Sequence, residues 1–220
     1  MSSGDQKVEA ARLEKLRLYK IVDTAAEKVF DDLTRLASVI CDVPICLVSF
    51  VTQDRQWFKA RVGLDASETS RSHAFCAHAI LEDEIMIVED ASQDPRFADN
   101  PLVTGEPHIR FYAGAPLEIE EGVRLGTLCV IDQRPRTLSD HQIEALSVLR
   151  EATVSQLHLR RSRDELRSIS ELLPICAWCQ HVRTEQPGGK SAWLPLHDYL
   201  MQTTPVTHGI CPDCRSKNEI

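Results

Sequence analysis

Four cysteines near the C-terminus, in the pattern Cys176-x-x-Cys179 … Cys211-x-x-Cys214, are the residues whose type and spacing point most directly to a chemistry. Each C-x-x-C pair puts two thiolates on one tight turn, from which both reach a single ion at about 2.3 Å. Two such turns complete the closed tetrahedral sulfur shell of structural zinc. An isoleucine precedes each pair (Ile175, Ile210), and the second turn contains Pro212. The 31 residues between the pairs exceed the roughly 15–20 of common ribbon spacings. Doubling a loop costs only about 0.6 kcal/mol of closure entropy, small beside the roughly 10–16 kcal/mol of zinc affinity in small peptides. The expectation is one structural zinc per chain on Cys176, Cys179, Cys211 and Cys214. Two disulfides, four free thiols or an iron centre are the alternatives. His181 and His208 lie close enough in sequence to replace a cysteine, or to hydrogen-bond a thiolate. A shell closed by four sulfurs leaves no position for a substrate water, which argues against zinc catalysis.

A second cluster is Cys76 with His73 and His78 on either side. If His73–Leu81 is helical, His73 and Cys76 share a face and His78 sits on another. A Cys–His nucleophile or a haem ligand could be built there, but no Asn or Asp is placed to support it. Buried small hydrophobes are the simpler reading of Cys76 and of Cys41, Cys46 and Cys129.

These groups need elements to position them, and 220 residues suffice for one good core and a small satellite. No apolar run approaches the roughly 20 residues that cross a bilayer, and the polar start MSSGDQKVEAARLEKLR lacks a signal peptide's apolar stretch. A reducing cytoplasm is expected, where paired C-x-x-C motifs read as metal ligands. The net charge of −8 lies wholly before Pro174, because the tail balances Arg183, Lys190, Arg215 and Lys217 against Glu185, Asp198, Asp213 and Glu219. Without clustered Lys and Arg, nucleic-acid binding is not expected.

Val8, Ala11, Leu16 and Tyr19 suggest one helix face, and Val29, Leu33, Leu36, Ala37 and Ile40 another. After Pro44 the period changes: Ile45–Val51 and Gln56–Val62 read as a β-hairpin. A short helix (His73–Leu81), a strand (Ile85–Val88), a polar loop (Asp90–Glu106) and a second hairpin (Phe111–Ile119, Val123–Asp132) follow. Ser139-x-x-Gln142 is a capping box opening a helical run to about Leu173. In that run Leu159, Leu166, Ile169 and Leu173 fall at a/d spacings that suit a short parallel dimer stem, or else pack on their own domain. Pro187-Gly188-Gly189 reads as a hairpin turn in the tail. The expected fold is α+β on an antiparallel sheet, organised as a body over 6–158, a helical stem over 159–173 and a four-cysteine module over 174–220.

Several blocks recur in a fixed order: Phe30-Asp31-Asp32-Leu33-Thr34, Arg71-Ser72-His73-Ala74-Phe75-Cys76-Ala77-His78-Ala79-Ile80, Asp94-Pro95-Arg96-Phe97-Ala98-Asp99-Asn100-Pro101, Ile109-Arg110-Phe111-Tyr112-Ala113-Gly114-Ala115-Pro116-Leu117 and Gly126-Thr127-Leu128-Cys129-Val130-Ile131-Asp132. Over about residues 6–165 they resemble the GAF sensor domains attached to bacterial histidine kinases and cyclic-di-nucleotide enzymes. The resemblance implies a sheet of about six strands flanked by helices, a pocket under the long loop, and a homodimer through the terminal helices. The tail resembles short cysteine modules that end some bacterial GAF, PAS and receiver-domain proteins.

Within the body, Trp57, Arg71, Phe75, Cys76, Arg110, Phe111 and Tyr112 are the candidates to line the pocket, with simple packing the alternative for each apolar one. For Arg71 and Arg110 the alternative is an ion pair with Asp90 or Asp94. Nothing after Leu173 is long enough to be a kinase, phosphodiesterase or cyclase. The expectation is therefore a non-enzymatic signalling module, in which an unidentified small ligand or redox input is relayed along the helix to the zinc tail and a protein partner. A thiol-dependent reductase or hydrolase using Cys76, or a zinc-thiolate redox switch, are the alternatives.

Overall fold

A computed structural model describes residues 3–170, 175–176, 178–186 and 190–203. The chain divides into two compact units, Met1–Asp164 and Glu165–Ile220. In the first, helices α1 (Ser3–Tyr19) and α2 (Lys28–Cys41) precede strands β1 (Ile45–Val51), β2 (Arg55–Val62) and β3 (Glu68–Ser70). A 3-10 turn (Arg71–His73), α3 (Cys76–Ala79), β4 (Met86–Val88) and α4 (Pro101–Thr104) follow, then β5 (Phe111–Glu120), β6 (Val123–Asp132) and α5 (Asp140–Ser170), whose last residues, from Glu165, fall in the second unit. The six strands form one antiparallel sheet in the order β3-β2-β1-β6-β5-β4.

Alternation along the central strands sends side chains to two separate layers. Cys46, Val48 and Phe50 of β1, with Leu128 and Val130 of β6, pack beneath α2, Leu16 and Tyr19 of α1, and Leu146, Leu149 and Leu157 of α5. Ile45, Leu47 and Val51, with Cys129 and Ile131, face the other way, toward α3 and the β4–β5 loop. Gly126 allows β1 and β6 to pair this closely, since a Cβ there would come within 1.8 Å of the Ser49 carbonyl oxygen.

Both N-terminal helix faces differ from the expected ones. In α2 the buried residues are Phe30, Thr34, Ala37 and Cys41, while Val29, Leu36 and Ile40 are exposed. Thr34 can be buried because its hydroxyl donates to the Phe30 carbonyl at 2.7 Å, so a polar residue holds the middle of an apolar stripe. In α1, Val8 and Ala11 are exposed and Arg12 is buried instead. The Arg12 guanidinium bonds Glu9 and donates to the Val51 carbonyl at 2.8 Å, which turns that face inward.

Lys59 anchors the chain between the two helices. Its ammonium is fully enclosed and donates to Thr24 Oγ1 (2.8 Å), the Ala25 carbonyl (2.6 Å) and Glu27 Oε1 (2.7 Å), which uses all three protons. Arg160 of α5 reaches the same Glu27 oxygen at 2.9 Å. Burial raises the Glu27 carboxyl, and the Lys59 and Arg160 contacts overcome it and hold it below its usual range.

In the second unit β7 (His181–Gln186) and β8 (Lys190–Pro195) pair antiparallel, with His181 opposite Pro195 and Gln186 opposite Lys190, and α6 (Leu196–Thr203) follows. The hairpin was expected, although its turn residues 187–189 lie outside the described residues. Helix α6 was not expected.

Candidate functional site

A cavity of about 460 Å3 opens on the α3 side of the sheet. Its walls are apolar, with Leu47, Phe58, Ile109 and Ile131 among them, and Cys76, Gln56 and Tyr112 carry its inner polar atoms. Exposed Asp65, Ala66 and Glu106 edge it, and no Lys, Arg or His lines it among the described residues. Thr69 also lines it, with Oγ1 buried and without a hydrogen-bond partner among the described residues.

Behind that apolar lining lies a knot of polar side chains around one sulfur. Cys76 Sγ receives the Gln56 amide at 2.9 Å, the Thr127 hydroxyl at 3.0 Å and the Tyr112 hydroxyl at 3.2 Å. Ser49 Oγ lies 3.4 Å away and Cys129 Sγ 3.8 Å. Strand register assembles this group: Ser49 stands opposite Thr127 across β1–β6, and Cys129 stands between Leu47 and Gly114 on its two neighbours. Burial pushes the Cys76 thiol up, but the Cys129, Ser49, Thr127 and Tyr112 contacts more than offset it and bring it down to about 6. Cys129 moves the opposite way, its thiol pushed well up by the contact to Cys76 and by burial. The cluster thus favours a thiolate on Cys76 and a retained proton on Cys129.

Of the seven residues expected to line a pocket, Phe75, Cys76 and Tyr112 do so. Trp57 and Phe111 pack in the helix-facing layer, on the opposite side of the sheet. Alternation could have excluded them: if Tyr112 faces the cavity, its strand neighbour Phe111 cannot, and Gln56 and Phe58 displace Trp57 in the same way. Arg71 is an ion-pair residue, its Nη1 lying 2.5 Å from Glu9 Oε1 and 2.8 Å from the Thr52 carbonyl. Its partner is Glu9, not Asp90 or Asp94. Arg110 Nη1 donates to the Val103 and Ile109 carbonyls at 2.9 and 3.0 Å, tying down the loop before β5. Neither histidine is among the hydrogen-bond partners of Cys76: the His78 ring stacks edge-on against Phe97 at 5.0 Å, and the His73 carbonyl accepts from Asn100. Sequence reasoning missed Ser49, Gln56, Thr127 and Cys129, whose common signal is a polar or thiol side chain on the inward face of a central strand.

In the second unit, Cys176 and Cys179 occupy one tight turn. The Gln180 N–H donates to the Cys176 carbonyl at 2.9 Å, and the Cys176 N–H donates to the His181 carbonyl at 2.8 Å, leading into β7. Backbone N–H groups of Cys179 and Trp178 lower the Cys176 thiol below its ordinary range. That turn suits two metal-ligating sulfurs. Among the described residues no three His, Cys, Asp or Glu side chains gather as a metal site. Cys211, Cys214 and His208, needed to complete or modify the expected shell, lie outside those residues.

Residues 25–153 match the GAF domain family, and the chain belongs to that family. Solved structures share the fold, two of them as follows. The GAF domain of an Acinetobacter phosphoenolpyruvate-protein phosphotransferase is 20% identical, with a TM-score of 0.51 over 76% of this chain and 97% of that one. A free methionine-R-sulfoxide reductase from Neisseria meningitidis is 13% identical, with a TM-score of 0.51 over 74% and 96% of the two chains. A cyclic di-GMP phosphodiesterase of Pseudomonas aeruginosa is 44% identical over 143 residues, 64% of this chain and 24% of that protein. The chain thus spans about a quarter of that relative's length. The expectation of a purely non-enzymatic protein is corrected here, because this well-matched relative is named an enzyme. No helix among the described residues is long and apolar enough to cross a membrane.

Proposed function

We propose that the first unit is a sensory domain that takes a small molecule into the Cys76 cavity, and that its signal bears on cyclic di-GMP hydrolysis, the activity named for the Pseudomonas relative. The observation that carries this reading is the cavity itself: about 460 Å3 of largely apolar space ending on polar atoms, one of them Thr69 Oγ1, which has no hydrogen-bond partner among the described residues. Sites of this make-up accept small molecules, with the apolar walls supplying affinity and a few polar groups setting orientation. Charge narrows the class. Asp65 and Glu106 at the mouth and Cys76 inside would repel an anion, and no basic side chain among the described residues lines the space to receive one. The ligand is therefore a neutral or cationic, largely apolar molecule rather than a nucleotide or other phosphate.

Further parts of the reading concern assembly. Leu159 and Leu166 are 53% and 65% exposed on α5, which supports a second copy pairing along this helix. The Cys176–Cys179 turn supports one zinc per chain shared with Cys211 and Cys214. The free, buried thiols Cys41, Cys46, Cys76 and Cys129 suit a reducing cytoplasm. In this scheme the ligand shifts the packing of the paired helices, and a protein partner reads the change. That requires the ligand to bind one helix arrangement more tightly than the other.

Thermal unfolding of the protein with a panel of neutral, cationic and anionic apolar compounds tests the ligand assignment. Ala66→Trp closes the mouth from an exposed position, leaving the core untouched. A neutral or cationic compound raising the melting temperature of the wild type by several degrees, but not of Ala66→Trp, supports the reading. Equal shifts in both proteins, or shifts from anions alone, overturn it.

A further inference from the structure

Two sulfurs meet beneath the cavity, and nothing in a ligand-binding role requires them. Cys76 Sγ and Cys129 Sγ are 3.8 Å apart, both buried, and set on elements of different kinds. Cys129 lies in β6, paired on both sides by β1 and β5. Cys76 begins α3, a helix of four residues. Cys76 also lines the cavity, which Cys129 does not, so a water-sized reagent entering there meets Cys76 first. The donors around it supply what a reactive thiolate needs: an amide, two hydroxyls and a neighbouring thiol within hydrogen-bond reach.

We propose that Cys76 and Cys129 form a peroxide-responsive pair, in which Cys76 attacks a small hydroperoxide admitted by the cavity and Cys129 closes an intramolecular disulfide. In the first step the Cys76 thiolate attacks one peroxide oxygen. An S–O bond forms, the O–O bond breaks, and the sulfur is oxidised to a sulfenic acid while hydroxide or alkoxide leaves. In the second step Cys129 sulfur attacks Cys76 sulfur. The S–O bond breaks, and the departing oxygen leaves as water with the proton that Cys129 gives up. Two thiol sulfurs are oxidised and one peroxide is reduced, with no other reactant.

The geometry also says what the reaction does. The sulfurs must close from 3.8 Å to about 2.05 Å. Because β6 is held on both edges, α3 must make the movement. A disulfide sulfur is neutral and accepts hydrogen bonds weakly, so Gln56, Thr127 and Tyr112 lose their shared acceptor. The inner end of the cavity is thereby rebuilt. The cavity serves here only as an entry path, so this inference stands or falls apart from the ligand reading.

Buried Cys41 and Cys46 are internal controls. Burial pushes both thiols up, and Cys46 has no comparable set of donors. Peroxide titration of the reduced protein, followed by alkylation and peptide mass mapping, tests the pair. The wild type is expected to lose two hydrogens as a Cys76–Cys129 cross-link, at least about tenfold faster than Cys46 is modified. In Cys129→Ala the reaction should stop at the sulfenic acid, which dimedone captures on Cys76, and Cys76→Ala should give neither product. If Cys76 in the wild type survives peroxide that modifies Cys46, or if the peptide maps join Cys76 to another cysteine, the proposal is overturned. The wild-type arms decide the matter even if a variant fails to fold.

Discussion

The hydroxyl of Tyr112 occupies the space that a side chain on Gly114 would need: a Cβ there would lie 2.1 Å from Tyr112 Oη. The two residues are on one face of β5, two positions apart, so the missing side chain lets the phenol lie along its own strand and reach Cys76 at 3.2 Å. Gly114→Ala is expected to displace the phenol and to destabilise the domain by about 1–3 kcal/mol, as overpacking does. Urea denaturation reads the loss, which Tyr112→Phe should not abolish, because the ring carbons Cζ and Cε1 would also lie 2.6 and 2.8 Å from the new Cβ. An unchanged midpoint in Gly114→Ala would contradict this relationship.

Cys76 should titrate far from its neighbours. With its thiol at about 6, the anion dominates above that pH and is lost below it. Thiolate absorbance followed against pH should show one early transition near 6. Tyr112→Phe and Thr127→Val should each move it upward, since each removes a donor to the charged form.

Acid sensitivity has a definite origin at Glu9. Burial raises its carboxyl, and Arg12 and Arg71 overcome it through hydrogen bonds and charge, lowering it from 4.5 to about 2. A depressed carboxyl stabilises the fold above its unfolded value and ceases to do so as pH falls through the folded one. Stability should therefore drop between about 4.5 and 2, and Glu9→Gln should flatten that part of the curve while lowering stability at neutral pH. Denaturant midpoints measured across this window check the sign.

Lys59→Met removes three hydrogen bonds from a fully enclosed ammonium and takes the donor from the Ala25 carbonyl, while the Thr24 hydroxyl keeps its bond to the Ile21 carbonyl at 2.6 Å. Glu27 keeps Arg160 and is one-third exposed, so the cost is expected at about 2–3 kcal/mol rather than that of a wholly buried ion pair. A change below the error of a urea titration would show that these contacts contribute little.

Zinc analysis of protein purified under reducing conditions without chelator should give one ion per chain. Serine at Cys176 or Cys211 should abolish it and loosen the tail against proteolysis. Absence of metal from the wild type would remove zinc from the account.

The strands were legible because each half of the sheet is a hairpin with its own local period: β1, β5 and β6 lie within a residue of where alternation puts them. Helix faces were less so. Apolar spacing alone selected Leu36 and Ile40, but Thr34 and Arg12 are buried at the competing positions, Thr34 bonded to a backbone carbonyl and Arg12 to the Val51 carbonyl and the Glu9 carboxylate. The thiol cluster was legible only at Cys76 and Tyr112. Its other members are far apart in sequence, Ser49 and Thr127 by 78 residues, and only the pairing of strands distant in the chain brings them together. Strand β3 and helix α4 are short enough that tertiary context, rather than propensity, decides them.

The central claim is that the α3 face of the sheet receives the input. Isoleucine methyl groups report on it directly, because Ile45, Ile109 and Ile131 line the cavity while Ile21 and Ile119 pack on the opposite face. In a methyl NMR titration with a compound that raises the melting temperature, shifts confined to Ile45, Ile109 and Ile131 are predicted. Shifts centred on Ile21 and Ile119, with the cavity methyls still, would contradict the claim.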